Sequence, residues 1–137
     1  MKEQKIYRII DVNCNRAKEG LRVCEDIARF ILDHKKISSR YKNLRHTLEK
    51  SMGAFPFKKT ILIKAREIEQ DVGRGSIGPE LKRNTTKDIY FANSQRVKES
   101  IRVLEEFAKL KNPKIAQQFK TIRYRSYALE KATVRLL

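Results

Sequence analysis

An all-α fold is predicted for this chain: a helical bundle of two duplicated antiparallel helical hairpins joined by an irregular, glycine-containing central segment. Three observations predict it. A string of 17 residues recurs at a shift of 80 positions, apolar residues return every three or four positions along four long stretches, and glycine and proline gather in the one region without such a period.

The first helix is expected from about Ile9 to Leu32, with Ala17, Leu21, Cys24, Ala28 and Ile31 on one stripe. Ser38 or Ser39 can cap the second by offering a side-chain oxygen to the free amides of its first turn. That helix carries Tyr41, Leu44, Leu48 and Met52 on one face, and Gly53 and Pro56 end it. Between Phe55 and Asn84 no period is sustained. Thr60 to Ile63 fits either a short extended piece or a helical turn, and the string REIEQDVGRGSIGPE that follows it reads as a loop. Thr85 or Thr86 can cap a third long helix that ends near Lys111. Asn112 and Pro113 then form a cap and first-turn pair for a last helix running towards Leu136. One domain over residues 1–137 is expected, with hairpin 1 at about 7–54, the central segment at 55–84 and hairpin 2 at about 85–137.

The duplication is explicit. Asn13 to Arg29 reads NCNRAKEGLRVCEDIAR and Asn93 to Lys109 reads NSQRVKESIRVLEEFAK, with eight of 17 paired positions identical. The second helices match at a shift of 78, YKNLRH against FKTIRY, so the two missing residues fall in the connection, where a shorter loop costs least.

With 137 residues and 40% hydrophobic content, the chain can fill one core and hardly two. Lys and Arg number 32 against 16 Asp and Glu, and a formal charge of +16 attracts polyanions: nucleic acid, nucleotides or phosphorylated metabolites. Cys14 and Cys24 lie on one helix, about 15 Å apart at ~1.5 Å per residue, beyond disulfide reach. Free thiols without a Cys or His cluster or a secretory leader suit a reducing, cytoplasmic setting, and no apolar run is long enough to span a bilayer. A GxxxxGK[ST] loop is absent. His34 and His46 are isolated and read as helix-end or interface residues.

The repeated arginines carry the functional expectation. At about 100° per residue, Arg16 and Arg96 fall within the apolar arcs of their helices, together with Asn13 and Asn93. Arg45 lies beside Tyr41 and Leu48, and Arg123 beside Phe119 and Ile122. A buried guanidinium needs either a carboxylate or an arriving anion. Glu19, Glu25, Glu99 and Glu105 are the internal candidates, but four inward cations in so basic a chain favour an anion site at the seam between the halves. Arg22, Arg29 and Arg102 read instead as outer-face residues paired with Glu25, Asp26, Glu105 and Glu106. In the central loop, Asp71 could hold a metal ion, Arg66 and Arg74 could reach a phosphate, and glycines such as Gly73 could let amides approach an oxyanion.

The strings RIIDVNCNRAKEGLRVCEDIARF, YKNLRH, AREIEQDVG, ANSQRVKESIRVLEEFAKL and IRYRSYALE, in that order, resemble the helical N-terminal domain of bacterial two-domain thiamine-phosphate synthases. The resemblance covers nearly the whole chain. It implies an ATP-dependent kinase with Mg2+ that converts hydroxymethylpyrimidine phosphate to the pyrophosphate for an adjoining synthase barrel. The residues it implies at the site are Asn13, Arg16, Glu19, Arg45, Arg66, Asp71, Gly73, Asn93, Arg96, Glu99 and Arg123. Of these, Asp71 with Glu19 or Glu99 would hold the metal and the arginines would hold the phosphates. No barrel follows the matching strings, so the chain is expected to be free-standing or a fragment of a longer synthase. Two other readings remain: a non-catalytic docking domain of such a synthase, and a basic helical nucleic-acid-binding module, which the inward register of the arginines disfavours.

Overall fold

The structure, a computed structural model, describes residues 2–137. Helix α1 spans Lys2–Asp26 and continues through a wider π-helical turn, Ile27–Ile31, closed by the Leu32 amide donating to the Ile27 carbonyl at 3.0 Å. It begins earlier than its apolar stripe because tertiary contacts hold the first turns. Lys111 Nζ meets Glu3 at 2.6 Å, and the Tyr7 ring packs on Phe57 with centroids 4.8 Å apart. The helix is stopped at Asp33, whose φ of 49° is left-handed, a conformation that Asp tolerates better than most residues.

Helix α2 spans Lys35–Gly53, and its cap is His34, whose Nδ1 accepts from the Ile37 amide at 3.2 Å. The expected serine caps are thus corrected: Ser38 lies inside the helix and its hydroxyl donates to the Lys35 carbonyl. The short apolar stretch of the central segment is helical, α3 at Lys59–Lys64, and a single 3-10 turn forms at Gly78–Leu81. Helix α4 spans Thr86–Ala108. Thr85 Oγ1 accepts from the Asp88 amide, and the Asp88 carboxylate accepts from the Thr85 amide, both at 3.1 Å. Helix α5 spans Pro113–Val134, capped by Asn112, with Pro113 opening the first turn, where a missing amide hydrogen costs nothing.

The four long helices form a closed ring of neighbours, in the order α1, α2, α5, α4. Each adjacent pair is antiparallel. Glu25 faces Arg45 while Lys18 faces Glu49, and Glu3 faces Lys111 while Gly20 faces Val97. Tyr41 faces Thr133 while Thr47 faces Arg125, and Ser94 faces Glu130 while Glu105 faces Arg123. Helices α2 and α4 therefore run the same way, and the central segment must travel the length of the bundle between them. It does so along α1, passing Tyr7 at Phe57 and Asp11 at Arg66.

One continuous apolar cluster fills the ring, including Leu21, Leu44, Ile101, Leu104, Phe119 and Ile122. The hydroxyls of Tyr41 and Tyr90 pair inside it, which satisfies groups that burial would otherwise penalise. At Gly20 a Cβ would meet Val97 Cγ2 at 2.8 Å and the Asn93 carbonyl at 3.0 Å, so only glycine lets α1 and α4 approach this closely. Among the described residues, no helix is long and apolar enough to cross a membrane.

Candidate functional site

The four repeated arginines divide into two kinds. Arg45 is largely buried and donates from Nε to Glu25 at 3.1 Å; Arg123 donates from Nη2 to both oxygens of Glu105 at 3.3 Å. Arg22 and Arg102 reach the same two carboxylates from the outer faces, as the sequence predicts. Internal pairing therefore prevails for Arg45 and Arg123. Arg16 and Arg96 are exposed, which corrects their inward assignment.

On α1 the buried stripe lies rotated from an arc drawn through Ile31; on α4, an uninterrupted helix, the buried side instead follows Tyr90, Ser94, Val97, Ile101 and Leu104 and leaves Arg96 outside it. Ile31, which helped centre the apolar arc, is 55% exposed beyond the π-helical turn, where an extra residue per turn shifts the register. The true stripe follows Ile10, Ala17, Leu21, Cys24 and Ala28, leaving Arg16 about 110° from its centre at ~100° per residue. The two asparagines expected at the seam are engaged within their own helices. Asn13 is buried and Asn93 partly buried, but each carboxamide donates to its own helix, at the Ile9 and Ile89 carbonyls, and Gly20 closes the space between α1 and α4.

A different cleft exists, of about 710 Å³, between the outer face of α1 and residues 66–72 of the central segment. It unites Arg16, Arg66 and Asp71 from the expected set, and adds Lys5, Arg8 and Asp11. Arg66 fastens the segment to the helix: its Nε donates to Asp11 Oδ2 at 2.6 Å and its Nη2 to Oδ1 at 3.0 Å. The hydrogen bond to Asp11 holds the Arg66 guanidinium above its ordinary pKa, so it stays charged across the physiological range. Arg8 adds a bond from Nη2 to the Glu67 carbonyl at 3.2 Å. Neither Arg8 nor Arg16 forms an ion pair among the described residues; Arg16 makes only a long bond, 3.5 Å, to the Asn13 carboxamide oxygen. Two guanidinium groups are thus available to an anion in the cleft.

The two acids on the outer wall of the cleft each have one oxygen taken by backbone amides. Glu67 accepts from the amides of Glu69 and Gln70, and Asp71 Oδ1 accepts from the Gly73 amide at 3.0 Å. Gly73 is therefore half of a local turn, and its amide is committed to Asp71. Arg74 is exposed, close to Glu69, and does not line the cleft. Glu19 lies on a neighbouring depression with Lys18, Arg45 and Glu49, while Glu99 is exposed on α4 and accepts from Gln95. Neither lines the cleft beside Asp71, which corrects both as partners of a metal there. Among the described residues no group of three or more His, Cys, Asp or Glu is placed to hold a metal ion. Burial pushes the Cys14 thiol up to about 11 and the Cys24 thiol up to about 12, so neither is a ready nucleophile.

Sequence reasoning missed Lys5, Arg8 and Asp11 at the cleft, and of these Asp11 carries a signal that could have been read. An acid between Ile10 and Val12 on a helix with a buried face has to find a cation, and the partner comes from 55 positions away. Only that separation hid it.

Fold and cleft together define a class: a duplicated all-helical domain with a basic cleft between its first helix and the connecting segment. The chain belongs to the ThiD2 family, which it matches over residues 8–132. It is similar to thiamine-phosphate synthases: 40% identical over 126 residues to that of Synechocystis sp. (91% of this chain, 35% of the relative), and 38% over 130 residues to that of Thermosynechococcus vestitus (94% and 35%). The protein of the same name from Rhodopirellula baltica is 36% identical over 124 residues (90% and 32%). The chain spans about a third of the length of these curated relatives. No solved structure matches it at a significant level.

Proposed function

We propose that this chain acts in thiamine biosynthesis as a phosphotransferase domain, converting hydroxymethylpyrimidine phosphate to the pyrophosphate at the expense of ATP. Membership of the ThiD2 family and the ordered blocks shared with thiamine-phosphate synthases support the pathway. The observation that carries the chemistry is the pair Arg8 and Arg16, unpaired by acids, in a cleft large enough for a small phosphorylated ligand. In the proposed step an oxygen of the pyrimidine phosphate attacks the terminal phosphorus of ATP, the bond to the ADP oxygen breaks, and a P–O–P linkage forms. The protein's part is alignment of two anions and stabilisation of charge on the transferred group, which guanidinium forks do well. Mg2+ typically binds one or two protein carboxylates and completes its shell with phosphate oxygens and water, so Asp71 and Glu67 fit it as the two acids of the outer cleft. Such an ion would neutralise phosphate charge; Arg66 keeps the segment bearing both acids against α1.

Incubating the purified chain with Mg-ATP and hydroxymethylpyrimidine phosphate and following phosphorus resonances tests this reading. A diphosphate product is expected, with its formation reduced at least about 100-fold in Arg16→Ala, roughly the loss of one charge-stabilising contact in a transfer step. A second reading, a non-catalytic domain of a thiamine-phosphate synthase, is favoured by one finding: the relatives carry that name and extend over about three times the matched length. Folded protein that gives no product would select it.

A further inference from the structure

The duplication supplies an internal comparison. At the shifts of 80 and 78 positions, Arg22, Glu25 and Arg45 of the first hairpin correspond to Arg102, Glu105 and Arg123 of the second. In the first copy the cluster is closed, with Arg45 Nε donating to Glu25 at 3.1 Å. In the second, Arg123 meets Glu105 through Nη2 alone, and its Nε is buried without a hydrogen-bond partner. A buried donor on a charged group that lacks an acceptor carries the full loss of its hydration. The second copy is therefore one acceptor short where the first is complete.

A cavity of about 470 Å³ lies at this point, between the last turns of α4 and the first half of α5. Arg102, Lys109, Lys120 and Arg123 all line it. Arg102 and Arg123 share Glu105, and Arg102 and Lys109 share Glu106, so four cations meet two acids. Lys120 has no carboxylate partner among the described residues and rests over the Tyr124 ring at 5.9 Å. The excess of two positive charges matches a phosphate monoester, which carries about −1.5 to −2 near neutral pH, better than a single carboxylate. Tyr124, 57% exposed, presents a flat apolar face for the remainder of such a ligand.

We propose that this cavity is a second anion site, which takes a small phosphate-bearing molecule on Arg102, Lys109 and Lys120 and on the solvent-facing edge of Arg123. It shares no lining residue with the cleft on α1 and is inferred independently of what that cleft does.

Titration with inorganic phosphate and inorganic pyrophosphate at fixed ionic strength tests it, read by calorimetry and by amide shifts of 15N-labelled protein. Localised shifts are expected around residues 102–124. Lys120→Glu should weaken that binding at least about tenfold, as expected for one charge-assisted contact, and Lys120→Gln somewhat less. Arg16→Ala should leave these shifts in place. Because Lys120 is exposed and outside every ion pair, both variants are expected to keep the helical circular dichroism of the parent. Unchanged binding in Lys120→Glu would overturn the proposal. So would shifts spread evenly over this +16 chain, the mark of unspecific attraction alone.

Discussion

Replacing Glu25 by Leu, and then Glu25 and Arg45 together by Leu and Met, separates a structural ion pair from a ligand site. The Glu25 and Arg45 side chains are 5% and 11% exposed, so solvent screens their interaction little. Removing only the acid leaves a buried guanidinium without a counter-charge, a loss of about 3 to 5 kcal/mol. The contact of Glu25 with Arg22 at 3.5 Å adds little, because Arg22 is 53% exposed and surface pairs contribute at most about 1 kcal/mol. The double variant replaces both charges by apolar groups of similar volume and is expected to lie within about 1 kcal/mol of the parent. Urea unfolding measures both, with the midpoint falling in the single variant at an unchanged slope. Since Arg45 is consumed by Glu25, the double variant should also keep any phosphoryl transfer the parent shows. A single variant as stable as the parent, or a stable double variant that has lost transfer, would refute this reasoning.

Further outcomes follow from the packing and the buried thiols. Gly20→Ala should lower the melting temperature: a Cβ at 2.8 Å from Val97 Cγ2 overpacks the α1–α4 contact by about 1 to 3 kcal/mol, only partly offset by alanine's helix propensity of about 1 kcal/mol. Thr85→Ala removes the acceptor for the Asp88 amide and should cost about 1 kcal/mol in urea unfolding. Stability should fall as pH rises from the ordinary thiol value of 9 towards about 11 and 12, because folding holds Cys14 and Cys24 protonated while the unfolded chain ionises them. The urea midpoint measured from pH 8 to 10 checks the sign. The decline should be smaller in Cys14→Ser, and a midpoint that climbs with pH would contradict it.

The bundle was legible because its signals are local: a repeat, a 3.6-residue period, and caps such as Thr85 and Asn112 that act within one turn. The His34 cap was not, since an imidazole accepts an amide hydrogen only when its tautomer and position allow it. The site was less legible for two physical reasons. The π-helical turn after Asp26, which no propensity marks, turns Ile31 away from the core, so an arc centred with Ile31 on it wrongly included Arg16. Long-range pairing decided the rest: Arg45 is satisfied by Glu25 across a hairpin, and Arg66 by Asp11 across the whole second helix. Arg66 and Asp71 border a cleft whose floor is the outer face of α1 and not the seam between the halves, but Arg66 is spent there on Asp11 and the Gly73 amide on Asp71.

Under the proposed function, a phosphorylated pyrimidine binds between α1 and the central segment at Arg8 and Arg16, the two arginines there without an acidic partner among the described residues. An amide-shift map of the 15N-labelled chain titrated with hydroxymethylpyrimidine phosphate tests it most directly. Shifts should concentrate at residues 5–16 and 66–73 and vanish in a combined Arg8→Ala, Arg16→Ala variant that stays folded. Shifts centred instead on Glu25 and Arg45, or surviving that double replacement, would contradict it.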